Sequence, residues 1–195
     1  MGYTHYFGYA PLTEDFGDAW PDMVVDAWLI VDHLTARGIR IAGPDGEGGP
    51  IIEPGHIALN GAGDEAHEPL IILPRPPTAA EDPFLAREYT RQRFVRDFCK
   101  TSRKPYDVAV AAVLLRCHQR APGAFAIGSD GGWDQEWRRG AFPASPAGNL
   151  SARGVVEDVF GPTPTDSPLL RGDEAVSALL DPPQGQPPAF GGRRP

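Results

Sequence analysis

Lysine is nearly missing from this chain. Of its 18 basic residues only Lys100 and Lys104 are lysines, and both sit in one stretch, residues 98–107, "FCKTSRKPYD". Cysteine is equally scarce, with Cys99 and Cys117 alone. Two cysteines give no disulfide framework. Both fall in stretches expected to be helical and too far apart to bridge, which fits a reducing compartment. No apolar run approaches the roughly 20 residues that span a bilayer. The opening "MGYTHYFGYAPLTEDFGD" has neither the basic start nor the apolar run of a secretory signal. The expected setting is therefore cytoplasmic, with no membrane partner. Positive charge is also in deficit, the net charge being −8. That excludes an extended nucleic-acid surface but leaves room for one local anion pocket.

What the chain does contain is a core. A hydrophobic content of 41% over 195 residues suits one domain of ordinary size rather than a disordered chain. Proline and small residues gather toward the end, so we expect a globular domain over residues 1–160. Residues 161–195 then form a flexible Pro/Gly-rich tail, through which a host protein could dock. Within that tail "GDEAVSALL" has the spacing of one or two helical turns.

Residues 2–9 alternate as a strand, with Tyr3, His5, Phe7 and Tyr9 on one side and Thr4 and Tyr6 on the other. The stretch "WPDMVVDAWLIVDHLTARG" predicts a helix with Pro21 in its first turn and Gly38 at its stop. Its solvent face would carry Asp22, Asp26, His33 and Arg37; Val24, Ala27, Trp28, Val31 and Leu34 would pack inward. A short strand "IRIA" and a turn-rich loop precede two strands, 56–60 and 68–73. Asp82 and Pro83 open a helix expected to run to Lys100. A further helix begins at Pro105, and residues 108–115 are apolar on every side, which marks it as the buried centre. A strand "AFAIG" and a short helix near "EWRRGAF" follow. The fold class expected is α+β: a small mixed or antiparallel sheet packed with two or three helices, one of them central and buried, and a disordered C-terminal tail.

Three stretches could carry chemistry. The first is residues 99–107. Where arginine is the default cation, two lysines beside a helix start suggest an anion pocket. Free N–H groups and the partial positive charge of the helix end would join Lys100, Thr101, Arg103 and Lys104 there. Tyr106 and Asp107 occupy its first turn, where Asp107 either caps the helix or holds a cation. The plainer reading is a solvated turn with cations on its surface. The second stretch, "NGAGDEAHE" at 60–68, offers Asn60, Asp64, His67 and Glu68 on a glycine-rich loop, and reads equally as hairpin chemistry. Its spacing matches no standard metal-ligand pattern. The third is "IGSDGGWD", where Ser129 and Asp130 leave a strand end. His5 and Tyr6 of the first strand could line the same pocket. Cys99 beside Lys100 is a candidate nucleophile, though a buried thiol is ordinarily inert. There is no Gly-x-Ser-x-Gly elbow, Walker-type phosphate loop or Cys-x-x-Cys pair.

In order along the chain, "MGYTHY", "NGAGDEAHE", "FCKTSRKPYD" and "SDG" followed by tryptophan and acids resemble a family of small bacteriophage and prophage proteins that begin Met-Gly-Tyr-Thr-His-Tyr. The likeness covers roughly residues 1–140. It implies expression in the cytoplasm of an infected cell and brings no mechanism or cofactor with it. The residues themselves suggest a protein that binds a phosphorylated small molecule, a nucleotide above all. Lys100, Arg103 and Lys104 would hold anionic oxygens, while Asn60, Asp64 and Glu68 would meet sugar or base. One alternative is a hydrolase or transferase acting on a nucleotide or modified base, with His67 or Glu68 as general base. Another is a host-factor interaction protein with no small ligand.

Overall fold

The computed structural model describes residues 2–140 and 150–171. The alternating start forms β1 (Thr4–Tyr9), followed by α1 (Glu14–Thr35). Next come β2 (Ile41–Ala42), β3 (Ile51–Glu53) and β4 (His56–Gly61), a single 3-10 turn (Gly63–Glu65) and β5 (Leu70–Ile72). Then come α2 (Pro83–Gln92), β6 (Val95–Lys100), α3 (Asp107–Arg120), β7 (Phe125–Ser129), α4 (Glu136–Arg139), α5 (Ala152–Phe160) and β8 (Leu169–Leu170).

One sheet has the order β6-β1-β7-β8, with β1 antiparallel to both neighbours and β7 parallel to β8. In the other, β4 pairs antiparallel with β2, β3 and β5. The inward side chains of β1, His5, Phe7 and Tyr9, meet α3. Helices α1 and α5 pack on α3 from outside, and α1 also reaches β3 and β4. Every residue of α3 from Ala109 to Leu115 is therefore buried, because the helix has sheet on one side and helices on the other. The fold is α+β with a mixed sheet and a central buried helix, as expected.

Four expectations are corrected. Helix α1 begins at Glu14, seven residues before Pro21: Thr13 accepts the Phe16 N–H as cap, and Glu14 and Asp15 favour the first turn. Two of its residues also change sides. Asp26 is buried, because Arg116 and Arg120 of α3 converge on its carboxylate at 2.7 Å each. Trp28 is 48% exposed, its indole N–H donating to the Ile52 carbonyl. Second, α2 stops at Gln92, where Arg93 adopts a left-handed φ of 68°. The chain then becomes strand β6, so Cys99 lies in a strand, although both cysteines are free and buried. Residues 95–100 place their apolar side chains at 95, 98 and 99, a helix-like spacing, but β1 needs a partner on that side, and the pairing outweighs it. Third, α3 starts at Asp107, two residues after Pro105. Fourth, the chain is still part of the sheet beyond residue 160, since β8 joins β7. The "GDEAVSALL" turns and the rest of the expected tail from residue 172 lie outside the described residues. Among the described residues no helix is long and apolar enough to cross a membrane.

Candidate functional site

Chemistry-bearing residues collect at one end of the first sheet, where β1 begins and β6 and β7 finish. Register places Lys100 opposite Thr4, and His5 between Cys99 and Ser129. Because side chains alternate across a strand, His5 and Cys99 point inward while Thr4, Tyr6 and Lys100 share the outer face.

The inward set forms a closed network. His5, fully buried, donates from Nε2 to Asp107 Oδ1 at 3.0 Å, and the Thr101 hydroxyl donates to the same oxygen. Tyr3 and Trp137 stand edge-on to the imidazole. His5 Nδ1 and Trp137 Nε1 are buried without hydrogen-bond partners among the described residues. Orphans of that kind are uncommon in native interiors and mark a place that fold stability alone did not shape. Above them Ser102 and Arg103 take left-handed φ values of 52° and 58°. Each costs on the order of 1–3 kcal/mol for a residue with a side chain. The strain lets both the Thr101 and Ser102 N–H groups donate to the Tyr3 carbonyl and lays the Arg103 guanidinium 4.2 Å over the Tyr3 ring. Arg103 also lies 3.6 Å from Glu136. Burial raises the Tyr3 phenol above its ordinary range, with Asp107 adding to the shift.

The helix start and the 60–68 loop do meet, in direct hydrogen bonds, those of His67 and Lys104 on the exposed side. Lys104 Nζ donates to the Asp64 carbonyl at 2.9 Å, His67 Nε2 lies 3.1 Å from Ser102 Oγ, and the Glu68 carboxylate accepts the Lys100 N–H at 2.9 Å. Tyr106, buried, donates to the Glu68 carbonyl. Asn60 is consumed by the fold: its amide donates to the Pro44 and His67 carbonyls while its oxygen accepts from Gly61 and His67. Asp64 faces Arg40 instead of a ligand. The amides at the helix start are likewise used in successive turns, Lys104 to Thr101 and Asp107 to Lys104. The start of α3 is therefore held against His5 and Thr101 through Asp107. Cys99 is buried, donates to the Glu68 carbonyl, and has its thiol raised well above the ordinary value by burial first and then by neighbouring carboxylates.

The outward set is open. Asp130 accepts the Thr4 N–H at 2.9 Å and the Tyr6 hydroxyl at 3.3 Å. Lys100, Thr4 and Asp130 thus form one row across three strands, spanning two strand spacings of about 5 Å each. The stem of Lys100 lies against Gly2, where an added Cβ would come within 2.7 Å of Cε. Beyond Asp130 opens a cavity of about 470 Å³ lined by Ser129–Gln135, Ser167 and Leu169–Arg171. It sits at the carboxyl ends of the parallel pair β7 and β8, where ligands commonly bind in sheets of this kind. Ser129 Oγ caps the Gly131 N–H, and Ser167 Oγ caps the Leu169 N–H. Among the described residues the Gln135 side chain, the Arg171 guanidinium and the Lys100 ammonium have no polar partner.

Of the residues read from sequence, His5, Thr101, Tyr106 and Asp107 come together inside. Tyr6, Lys100 and Asp130 lie on the outer side, Ser129 stands opposite His5 on the inner side, and Asp64, His67, Glu68, Ser102 and Lys104 form the loop contact. Gln135 and Arg171 were not legible. Gln135 lies just past the stretch read for Ser129 and Asp130, and a two-residue parallel strand leaves no pattern to find Arg171 by. Compared with protein-family models, curated proteins and solved structures, the chain matches none.

Proposed function

We propose that the chain binds a phosphorylated small molecule, with a nucleotide the best fit, in the cavity at the end of β7. The observation that carries this is the set of polar groups without a partner among the described residues, Gln135 and Arg171 in the wall of that cavity and Lys100 along the row from Asp130. Arg171 and Lys100 suit anionic oxygens, the first as a planar fork and the second as a mobile point charge. Gln135, Ser129 and Asp130 suit a sugar or base edge. In the phage setting the resemblance implies, the role would be capture of a signalling nucleotide or a step of nucleotide metabolism. The test is the absorbance at 260 nm and the mass spectrum of the purified, denatured protein, followed by calorimetry with a nucleotide panel. A co-purified nucleotide, or binding weakened about tenfold or more by Arg171→Ala, supports the reading. A ligand at 100 times its dissociation constant adds about 2.7 kcal/mol of stability. No ligand, and no thermal shift across millimolar phosphate compounds, sinks it.

One contact favours a second reading. His67 Nε2 and Ser102 Oγ are 3.1 Å apart, and Ser102 stands on a strained turn, the relation a base bears to a serine nucleophile. This would make the chain a hydrolase with His67 as base, beside the Glu68 carboxylate that holds the Lys100 N–H. A fluorophosphonate probe that labels the protein and fails on Ser102→Ala would favour it over binding alone.

A further inference from the structure

A second cavity, of about 370 Å³, lies on the far side of β6 and is independent of the site above. Its walls are Phe84 and Leu85 of α2 and Phe98 of β6, with Asp82, Arg96 and Asp97 among them. Phe84 and Phe98 are each more than half exposed. Two phenylalanines left open to water beside one another are an unusual use of large apolar side chains, and the cavity they flank holds a carboxylate.

Register fixes how the charges are arranged. Asp97 is opposite Phe7, so it turns inward, while Arg96 is opposite Gly8 and turns outward. Phe98 turns outward with Arg96, so the cavity wraps the free edge of β6; Arg96 lines it too but is not among the charges that act on Asp97. The charged neighbours that act on Asp97 are Asp82, whose carboxylate caps α2, and Glu68, ahead of β5. Both are negative. The Phe98 N–H donates to Asp97 Oδ1 at 2.7 Å, and Oδ2 has no partner among the described residues. Burial first, with Asp82 and Glu68 adding to it, raises this carboxyl to about 6. An apolar, aromatic-walled cavity with one poorly solvated carboxylate and further negative charge nearby is complementary to one class of ligand.

We propose that this cavity binds a small organic cation, its primary ammonium against Asp97 and its aryl or alkyl body against Phe84, Leu85 and Phe98. The ammonium replaces the water that the carboxylate has lost, and the rings take up the apolar part. A neutral molecule of the same shape gains only the second contribution.

The test uses the full chain with phenethylamine and butylamine as probes and phenethyl alcohol as the neutral match, measured by calorimetry and by the amide shift of Phe98. The amine is expected to bind at least tenfold tighter than the alcohol at pH 7.5. Its affinity should fall about tenfold by pH 5, where about a tenth of Asp97 stays ionised. The other ionisable groups near Asp97 are Asp82, Glu68, Tyr9 and Cys99, with Arg96, cationic throughout, in the cavity wall. Tyr9 and Cys99 are shifted upward by burial and do not titrate in that window. Asp97→Asn, which preserves shape and the acceptor for Phe98, should remove the preference for amine over alcohol. Equal binding of amine and alcohol, a preference that survives Asp97→Asn, or no movement of the Phe98 amide at millimolar amine would overturn the proposal. Asp97 would then serve only to guard the edge of the sheet.

Discussion

Replacing Asp97 by Asn should make the protein more stable at neutral pH, by an amount that depends on pH in a defined way. In the folded chain the carboxyl is raised from its usual 3.8 to about 6, chiefly because burial disfavours the charged form. A shift of about 2 units corresponds to about 3 kcal/mol at 1.36 kcal/mol per unit. The sign follows from proton linkage. Between pH 4 and 6 the folded state holds a proton that the unfolded state has released, so stability falls as pH rises, by up to about 1.4 kcal/mol per unit. Below pH 4 the carboxyl is neutral in the folded state and increasingly so in the unfolded one, and wild type and variant should converge. Above pH 6 the cost is complete and the gap constant. Urea unfolding at pH 4, 5, 6, 7 and 8, with the denaturant slope checked for constancy, measures the curve. An advantage for Asn that is equal at pH 4 and pH 7, or a variant less stable throughout, would show that the carboxylate is well solvated and the reasoning wrong.

Thr101→Val keeps shape but removes the buried hydroxyl that donates to Asp107, and should cost about 1.5–3 kcal/mol in urea unfolding; a loss below about 0.5 kcal/mol would mean the network contributes little. Asp26→Asn leaves Arg116 and Arg120 facing a neutral amide inside the α1–α3 interface, and about 3–5 kcal/mol should be lost. Gly131→Ala places a Cβ 2.0 Å from the Tyr3 hydroxyl, so the ring or the β7 turn must move; calorimetry should then show weaker ligand binding even where the melting temperature changes little.

The main architecture was legible wherever a pattern had one interpretation. The alternation from Tyr3 to Tyr9 and the all-round apolarity of Val108 to Leu115 both became what they suggested, because a half-buried strand and an enclosed helix each leave a distinct period. Residues 95–100 were misleading for a physical reason. They follow a well-capped helix and keep its spacing, with apolar residues at 95, 98 and 99, and only the unsatisfied side of β1 turns them into strand. Asp26 reads as a surface residue until the arginines of α3 are placed beside it. The lysine segment was flagged for its charge, yet its commitments were invisible: which ammonium reaches a carbonyl and which stays open depends on contacts 40 or more residues apart. The aromatic cavity at β6 escaped notice because Phe84 and Phe98 belong to different elements and Asp97 becomes remarkable only by losing water.

The place of β1 in the middle of its sheet has a consequence for synthesis. Its partner β6 leaves the ribosome roughly 100 residues later, a wait of about 5–20 s at ordinary elongation rates. Through that interval Tyr3, Phe7 and Tyr9 have no native sheet to join, so the nascent chain carries a sticky aromatic strand. Slowing translation between residues 10 and 95 should therefore lengthen chaperone occupancy and lower the soluble yield, whereas slowing it after β7 should do neither.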